Sequence, residues 1–142
     1  MGQQQLLLVV LVTIIVGIAT VVALNVFSTT AEQVNRDAVR QDILTAAANA
    51  QSYYIRPDML GGGGSSFEDM ELEQLGIPGT LDENEVSNEN GVYSFNGEPD
   101  GDEFTLVGEP SSSGDNIVAT ISMGDDDQWE IDWGDGGTTN GE

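Results

Sequence analysis

The sequence contains neither cysteine nor histidine. This excludes disulfides, zinc sites built from Cys and His, thiol nucleophiles and histidine acid–base catalysis. Lysine is also absent, and the basic residues are Arg36, Arg40 and Arg56. With a net charge of -22 the chain repels phosphate backbones, so nucleic acid is not expected as a partner. Carboxylates remain for catalysis, but none lies in an apolar run, so we expect no enzyme activity.

Charge divides the chain into two unlike parts. Residues 1–57 hold three acids and all three arginines, whereas the other 22 acids lie in residues 58–142 without any base. Such an asymmetry indicates two different environments. We therefore predict a long helix within residues 1–57, a flexible Gly/Ser-rich linker over residues 58–66, and an acidic, β-rich globular head over residues 67–142.

A long apolar run lies near the N-terminus. Between Leu6 and Phe27 the polar residues are Thr13, Thr20 and Asn25. As a helix this run extends roughly 33 Å, enough to cross a hydrocarbon core about 30 Å thick. It is longer than the apolar part of a secretory signal and lacks a basic segment before it. A retained membrane span is therefore favoured over a cleaved signal.

An amphipathic stripe continues the helix beyond the apolar run. Apolar residues recur every three or four positions from Phe27 to Tyr53, and no helix breaker occurs before Pro57. An unbroken helix over about residues 3–55 is roughly 80 Å long. The C-terminal residues 58–142 are too few to cover it. We expect much of the helix to be buried in lipid or against copies of the chain, and the stripe to need a covering partner.

The C-terminal part has the pattern of a small antiparallel sheet. Short turn-forming segments separate four strand-like stretches, over residues 92–95, 103–107, 116–123 and 128–133. A meander of about four strands after a long helix is an α+β fold. Ahead of the sheet, capping-box spacing from Ser65 to Glu68 predicts a short helix that ends at Gly76. The predicted core, packed on the helix near Ile43 to Tyr54, comprises Phe95, Phe104, Leu106, Ile117, Ala119, Ile121, Trp129 and Trp133.

Acidic clusters in the head are dense enough to bind a hard cation, but no cluster has the spacing of a defined calcium loop. The nearest places Glu98, Asp100 and Asp102 at alternate positions without the closing glutamate. These three are the calcium candidates. Because acids are spread along the whole head, a solvated acidic coat with no required cofactor is the preferred interpretation. At 1 M salt a Debye length of about 3 Å screens their repulsion, so the composition predicts a high-salt habitat.

This layout resembles the type IV pilin superfamily. The resemblance is carried by the almost charge-free run from Gln5 to Phe27, its Ala-rich amphipathic continuation to Tyr54, and the antiparallel sheet after it. It implies a subunit held in the inner membrane and then assembled by pilus machinery into an extracellular, cell-surface filament of identical chains. The assembly residues that we nominate on the helix are Gln5, Leu6, Val9, Val10, Thr13, Val16, Gly17, Thr20, Leu24, Phe27, Ala31 and Val34.

Two features depart from the pilin pattern. No basic leader ending in glycine precedes Met1, which implies either that a leader was removed or that the chain is an unprocessed relative. If Met1 is the mature start, Gln5 corresponds to the glutamate that the family has near the mature N-terminus. An amide cannot form the ion pair of that glutamate with a neighbour's amine, so registration between copies would depend more on packing.

Two other functions stay open. One is a single-span bitopic membrane protein whose acidic domain binds cations or a basic partner. The positive-inside rule, applied to Arg36 and Arg40 after the span, gives a topology opposite to that of a pilin, although two arginines this far from the span are a small bias. The other is a minor pseudopilin of a secretion or uptake machine, which shares the architecture without building long fibres.

Overall fold

The computed structural model describes residues 2–112 and 115–136. Over these residues, helix α1 (Gly2–Ile55) is followed by two 3-10 helices, Asp58–Leu60 and Leu72–Leu75, and by six strands. The strands are β1 (Thr80–Asp82), β2 (Glu85–Ser87), β3 (Gly91–Phe95), β4 (Glu103–Pro110), β5 (Asn116–Met123) and β6 (Trp129–Gly136). Each strand pairs antiparallel with the next, in the order β1 to β6. The predicted α+β fold with an antiparallel meander is confirmed, with six strands instead of four.

The chain divides into two compact units, Met1–Val34 and Asn35–Glu142, and the division falls inside α1. We call the second unit the head. It begins earlier than the predicted boundary near Pro57, because a stripe of α1 belongs to its core. The buried residues of that stripe are Val39, Ile43, Ala46, Ala47, Ala50 and Tyr53. The predicted segments also include Met1 and residues 137–142, which lie outside the described residues.

The sheet packs on α1 because β4 and β5 alternate apolar and polar side chains. Phe104 and Leu106 of β4, with Ile117, Ala119 and Ile121 of β5, are buried as predicted. Gly108 allows a close approach of helix and sheet: a Cβ there would lie 2.6 Å from Val39 Cγ1 and 3.1 Å from Ile43 Cδ1. Any larger residue at this position would push the two layers apart.

The prediction of Trp133 as a core residue is wrong. It pairs with buried Ala119 and lies on β6, the last strand of the sheet, where its side chain is 40% exposed. Phe95 and Trp129 are partly buried against the core, and Tyr54 covers Trp129 with ring centroids 5.2 Å apart. The period-two pattern therefore identified the inward face of β6. It did not reveal that part of that face, at the edge of the sheet, is left uncovered.

The glycine run after α1 is packed, in contrast to the flexible linker predicted for residues 58–66. The backbone N–H groups of Gly63, Ser65 and Gly64 donate to the carbonyl oxygens of Tyr53, Tyr54 and Arg56 at 2.8, 2.8 and 3.0 Å. These are carbonyls that a helix C-terminus leaves without a partner. The segment therefore caps α1.

The 3-10 helix before the sheet is shorter than predicted. Its capping box joins Glu71 and Gln74 instead of Ser65 and Glu68, and it ends as predicted at Gly76, which is left-handed with φ 62°. Phe67, ahead of it, is fully buried and contacts the rings of Tyr54 and Phe104 at centroid distances of 4.9 Å. This segment supplies core residues that the strand pattern could not indicate.

Candidate assembly surface

The apolar run of α1 is exposed all round the helix. Between Leu6 and Phe27, sixteen large apolar side chains are each 47 to 76% exposed. The run is long and apolar enough to cross a membrane, and none of its most apolar window is buried. A helix that is apolar on every side is stable only when another phase or other helices surround it.

The nominated assembly residues, Gln5 to Val34, all lie on α1 and are all exposed. Their spacing favoured one side of the helix. The other side of the helix is equally apolar and exposed, as shown by Leu7, Leu11, Ile14, Ile18 and Val21. The nominated residues therefore omit the other side of the candidate surface. The sequence already indicated that side, because the run is apolar at almost every position.

Threonine hydroxyls within the run are satisfied by the helix itself. Thr13 Oγ1 donates to the carbonyl of Val9 at 2.7 Å, and Thr20 Oγ1 to that of Val16 at 2.8 Å. Since an unpaired hydroxyl is costly in an apolar medium, these bonds let the run enter lipid or a helix bundle without a further polar partner. A Cβ at Gly17 would meet nothing within 4 Å, so the space there is open for a neighbour.

The amphipathic stripe of α1 is covered to a greater extent than the sequence predicts. The sequence predicts that the stripe from Phe27 to Tyr53 needs a covering partner, but from Val39 onward the sheet of the same chain buries it. Val34, at the end of the first unit, remains 63% exposed. The part of the stripe still in need of cover therefore ends near Val34.

Three polar residues of α1, spaced seven apart, hydrogen-bond to the rest of the head. Asn35 Nδ2 donates to the carbonyl of Asn90 at 2.9 Å, and Asn49 Nδ2 to that of Leu75 at 2.7 Å. Between them, Asp42 Oδ2 accepts from Asn88, Asn90 and Tyr93 at 3.1, 2.9 and 2.5 Å. We call Asn35, Asp42 and Asn49 the polar row. Their seven-residue spacing was visible in the sequence and was missed.

Burial, together with the Asp42 contact, keeps the Tyr93 phenol protonated. Tyr93 is fully buried, and burial first, then the hydrogen bond to Asp42, raises its pKa far above the ordinary value of 10.0. Burial and a bond to Asp102 raise the pKa of Tyr54 in the same way. Both phenols therefore stay protonated donors at any physiological pH.

The described acids of the head lie at its surface. Within residues 2–112 and 115–134 no charged side chain is buried, and among the described residues no group of three or more Asp or Glu residues could hold a metal ion. Of the calcium candidates, Asp100 Oδ1 accepts from the N–H of Gly101 at 2.7 Å, and Asp102 accepts from Tyr54 at 3.0 Å. Together with Glu98 they do not form a ligand cluster.

Basic side chains are few in the head. Arg40 lies 3.6 Å from Asp37, the only ion pair among the described residues. Arg36 donates to the carbonyl of Asp115 at 3.2 Å.

Comparison of the chain with family models, with curated proteins and with solved structures found no match.

Proposed function

We propose that this chain is a structural, pilin-like subunit of an extracellular helical filament, held in a membrane before assembly. The observation that carries the proposal is the exposed apolar run from Leu6 to Phe27 on a helix whose later turns form part of the core of a folded head. The run must leave water, and lipid and sister helices are the two surroundings that suit it.

The turns of α1 just beyond the run favour self-association over permanent residence in lipid. Val34 is exposed and apolar, and it lies seven residues beyond Phe27, where a span that begins at Leu6 has already crossed the hydrocarbon core. Copies of the chain supply apolar side chains at the same level. The heads, each with an acidic coat, would then form the outer surface of the fibre.

Electron microscopy of material sheared from cells tests this proposal. We expect long thin fibres made of this chain. A chain that stays in the membrane fraction and dissolves in detergent as a monomer would instead indicate a single-span membrane protein. Short or absent fibres together with stable complexes of other pilin-like chains would indicate a minor pseudopilin.

A substitution in the run separates assembly from insertion. Gly17→Leu fills the open space beside the helix, so we expect it to remain membrane-inserted and helical in detergent while the yield of sheared fibre falls at least about tenfold. Gly17→Ala is the control and should stay near the wild-type yield, because alanine is also small and favours the helix. Equal fibre yields from both variants would argue against close packing at this position.

A further inference from the structure

Two unlike patches on the head are complementary to each other. The first, which we call the knob, lies at and after the end of α1 and consists of Ile55, Arg56, Met59 and Leu60. Met59 is 96% exposed and Leu60 is 72% exposed, which is more than most apolar side chains in the apolar run from Leu6 to Phe27.

Arg56 gives the knob a positive group. It is exposed and, among the described residues, makes no ion pair. Asp58 is the one acid within the segment that carries the knob. Because residues 58–142 contain 22 acids and no base, Arg56 is the basic residue closest in sequence to the acidic part of the chain.

The second patch, which we call the groove, lies between the 3-10 helix Leu72–Leu75 and the start of the sheet. It is a cavity of about 600 Å³. Its accessible apolar lining comes from exposed Leu81 and partly buried Phe95, above buried Met70 and Leu72. The acids that line it are Glu71, Glu73, Glu83 and Glu98, and no basic residue is among its lining residues.

We infer that the knob of one copy docks in the groove of the next, with Met59 and Leu60 against Leu81 and Phe95 and with Arg56 among the glutamates. Two acidic heads repel each other, so they attract only where the basic group of one meets an acidic pocket of the other. Apolar contact at the same place adds burial that salt does not screen.

The inference rests on the proposed function and adds to it a contact between heads. Since the knob and the groove are different surfaces, two copies joined by one contact still have one free knob and one free groove between them, to which further copies can bind. Such heterologous contacts continue into an open helical array unless the rotation closes a ring. The contact is therefore of the kind that a filament needs.

Cross-linking in filaments tests the contact, and the absence of native cysteine makes the result simple to interpret. In filaments of the double variant Met59→Cys/Leu81→Cys, mild oxidation should give a ladder of covalent multimers on a non-reducing gel. The two single variants should stay monomeric, as should Met59→Cys/Glu130→Cys, in which the second cysteine is exposed on β6. Filaments of the first double variant that remain monomeric would overturn the inference. If the wild-type chain forms no filaments at all, it is the proposed function that fails.

Charge exchange provides an independent readout. Arg56→Glu and Glu73→Arg should each lower the yield of sheared fibre about three- to tenfold, and the double variant should restore it to within about twofold of wild type. Asp58→Asn, which removes the acid beside the knob, should leave the yield the same or higher. Failure of the double variant to recover would count against the pairing even if the single variants are impaired.

Discussion

At the scale of single residues, Asp42 joins α1 to the sheet through a hydrogen bond to a core tyrosine. One of its carboxylate oxygens accepts three hydrogen bonds, from two asparagines in the turn between β2 and β3 and from Tyr93. The phenol lies in the core, so its hydroxyl has no access to water as an alternative partner. Loss of this bond therefore costs more than loss of a bond at the surface.

We expect Tyr93→Phe to lower the free energy of unfolding by about 2 kcal/mol, because a buried hydrogen bond to a charged acceptor is removed while the ring stays. Urea titration of the full chain in detergent measures it. Tyr54→Phe is the matched control: it removes a bond to exposed Asp102 and should cost less than about 1 kcal/mol. Similar losses from both changes would contradict the special role of Asp42.

The same phenol predicts an alkaline limit to stability. Below about pH 10 both the folded and the unfolded chain hold the Tyr93 proton, and the stabilising contact is fully present. Above that pH the unfolded chain releases the proton, whereas the folded chain keeps it because the pKa of Tyr93 is raised in the head. The free energy of unfolding therefore falls as pH rises beyond about 10. Unfolding midpoints between about pH 9 and pH 12 should show a shallower decline in Tyr93→Phe than in the wild-type chain.

At the scale of elements, the glycine run shows how composition can mislead. A row of four glycines and two serines is typical of a flexible tether. Here the backbone of the run replaces side-chain caps, and at Gly62 and Gly63 it approaches its neighbours too closely for a Cβ. At Gly63 a Cβ would clash with the carbonyl oxygen of Ser66 and would lie 2.7 Å from the Tyr53 ring.

We expect Gly63→Ala to destabilise the head by about 2 kcal/mol or more, since the backbone of the cap must move. Gly61→Asn serves as the control: Gly61 is left-handed with φ 78° and has open space beside it, and asparagine tolerates that conformation. Thermal unfolding followed by circular dichroism distinguishes the two. A true tether would accept both substitutions without change.

The longer elements could be predicted from the sequence, while the short ones could not. Strands β3 to β6 and the helix were found within a few residues because hydrophobic periodicity extends over their length. The hairpin of β1 and β2 has three residues in each strand, and Val86 is its only buried side chain. Its turn depends on Glu83 at φ 33°, a conformation that composition does not indicate. Such a hairpin is stable only because it adds to β3, which is tertiary information.

Part of the candidate surface could be predicted from the sequence. An uncharged run of this length indicates an apolar surface directly. The knob and the groove were not predicted. The groove combines residues from separate segments that come together only after the sheet has formed. The knob becomes a surface only when the glycine run folds back on α1.

At the scale of the whole molecule, the acidic coat should make the head dependent on salt. No charged side chain of the described residues is buried, so the acids act mainly through mutual repulsion. We expect the unfolding temperature to fall steeply when salt is diluted from about 1 M to about 10 mM, where the Debye length grows from about 3 Å to about 30 Å. Added magnesium should restore it at far lower concentration than potassium does. Filaments and heads that keep their form in dilute buffer without divalent ions would contradict the high-salt prediction.

The polar row has a mechanical consequence. Asn35, Asp42 and Asn49 join the C-terminal part of α1 to three different parts of the head: the loop after β4, the turn before β3, and the 3-10 helix Leu72–Leu75. A pull along α1 would load these attachments in parallel, in shear, instead of peeling them off one after another. In the proposed fibre, tension carried by the helices would then reach each sheet without rotating or stripping it, which suits a material that must bear force.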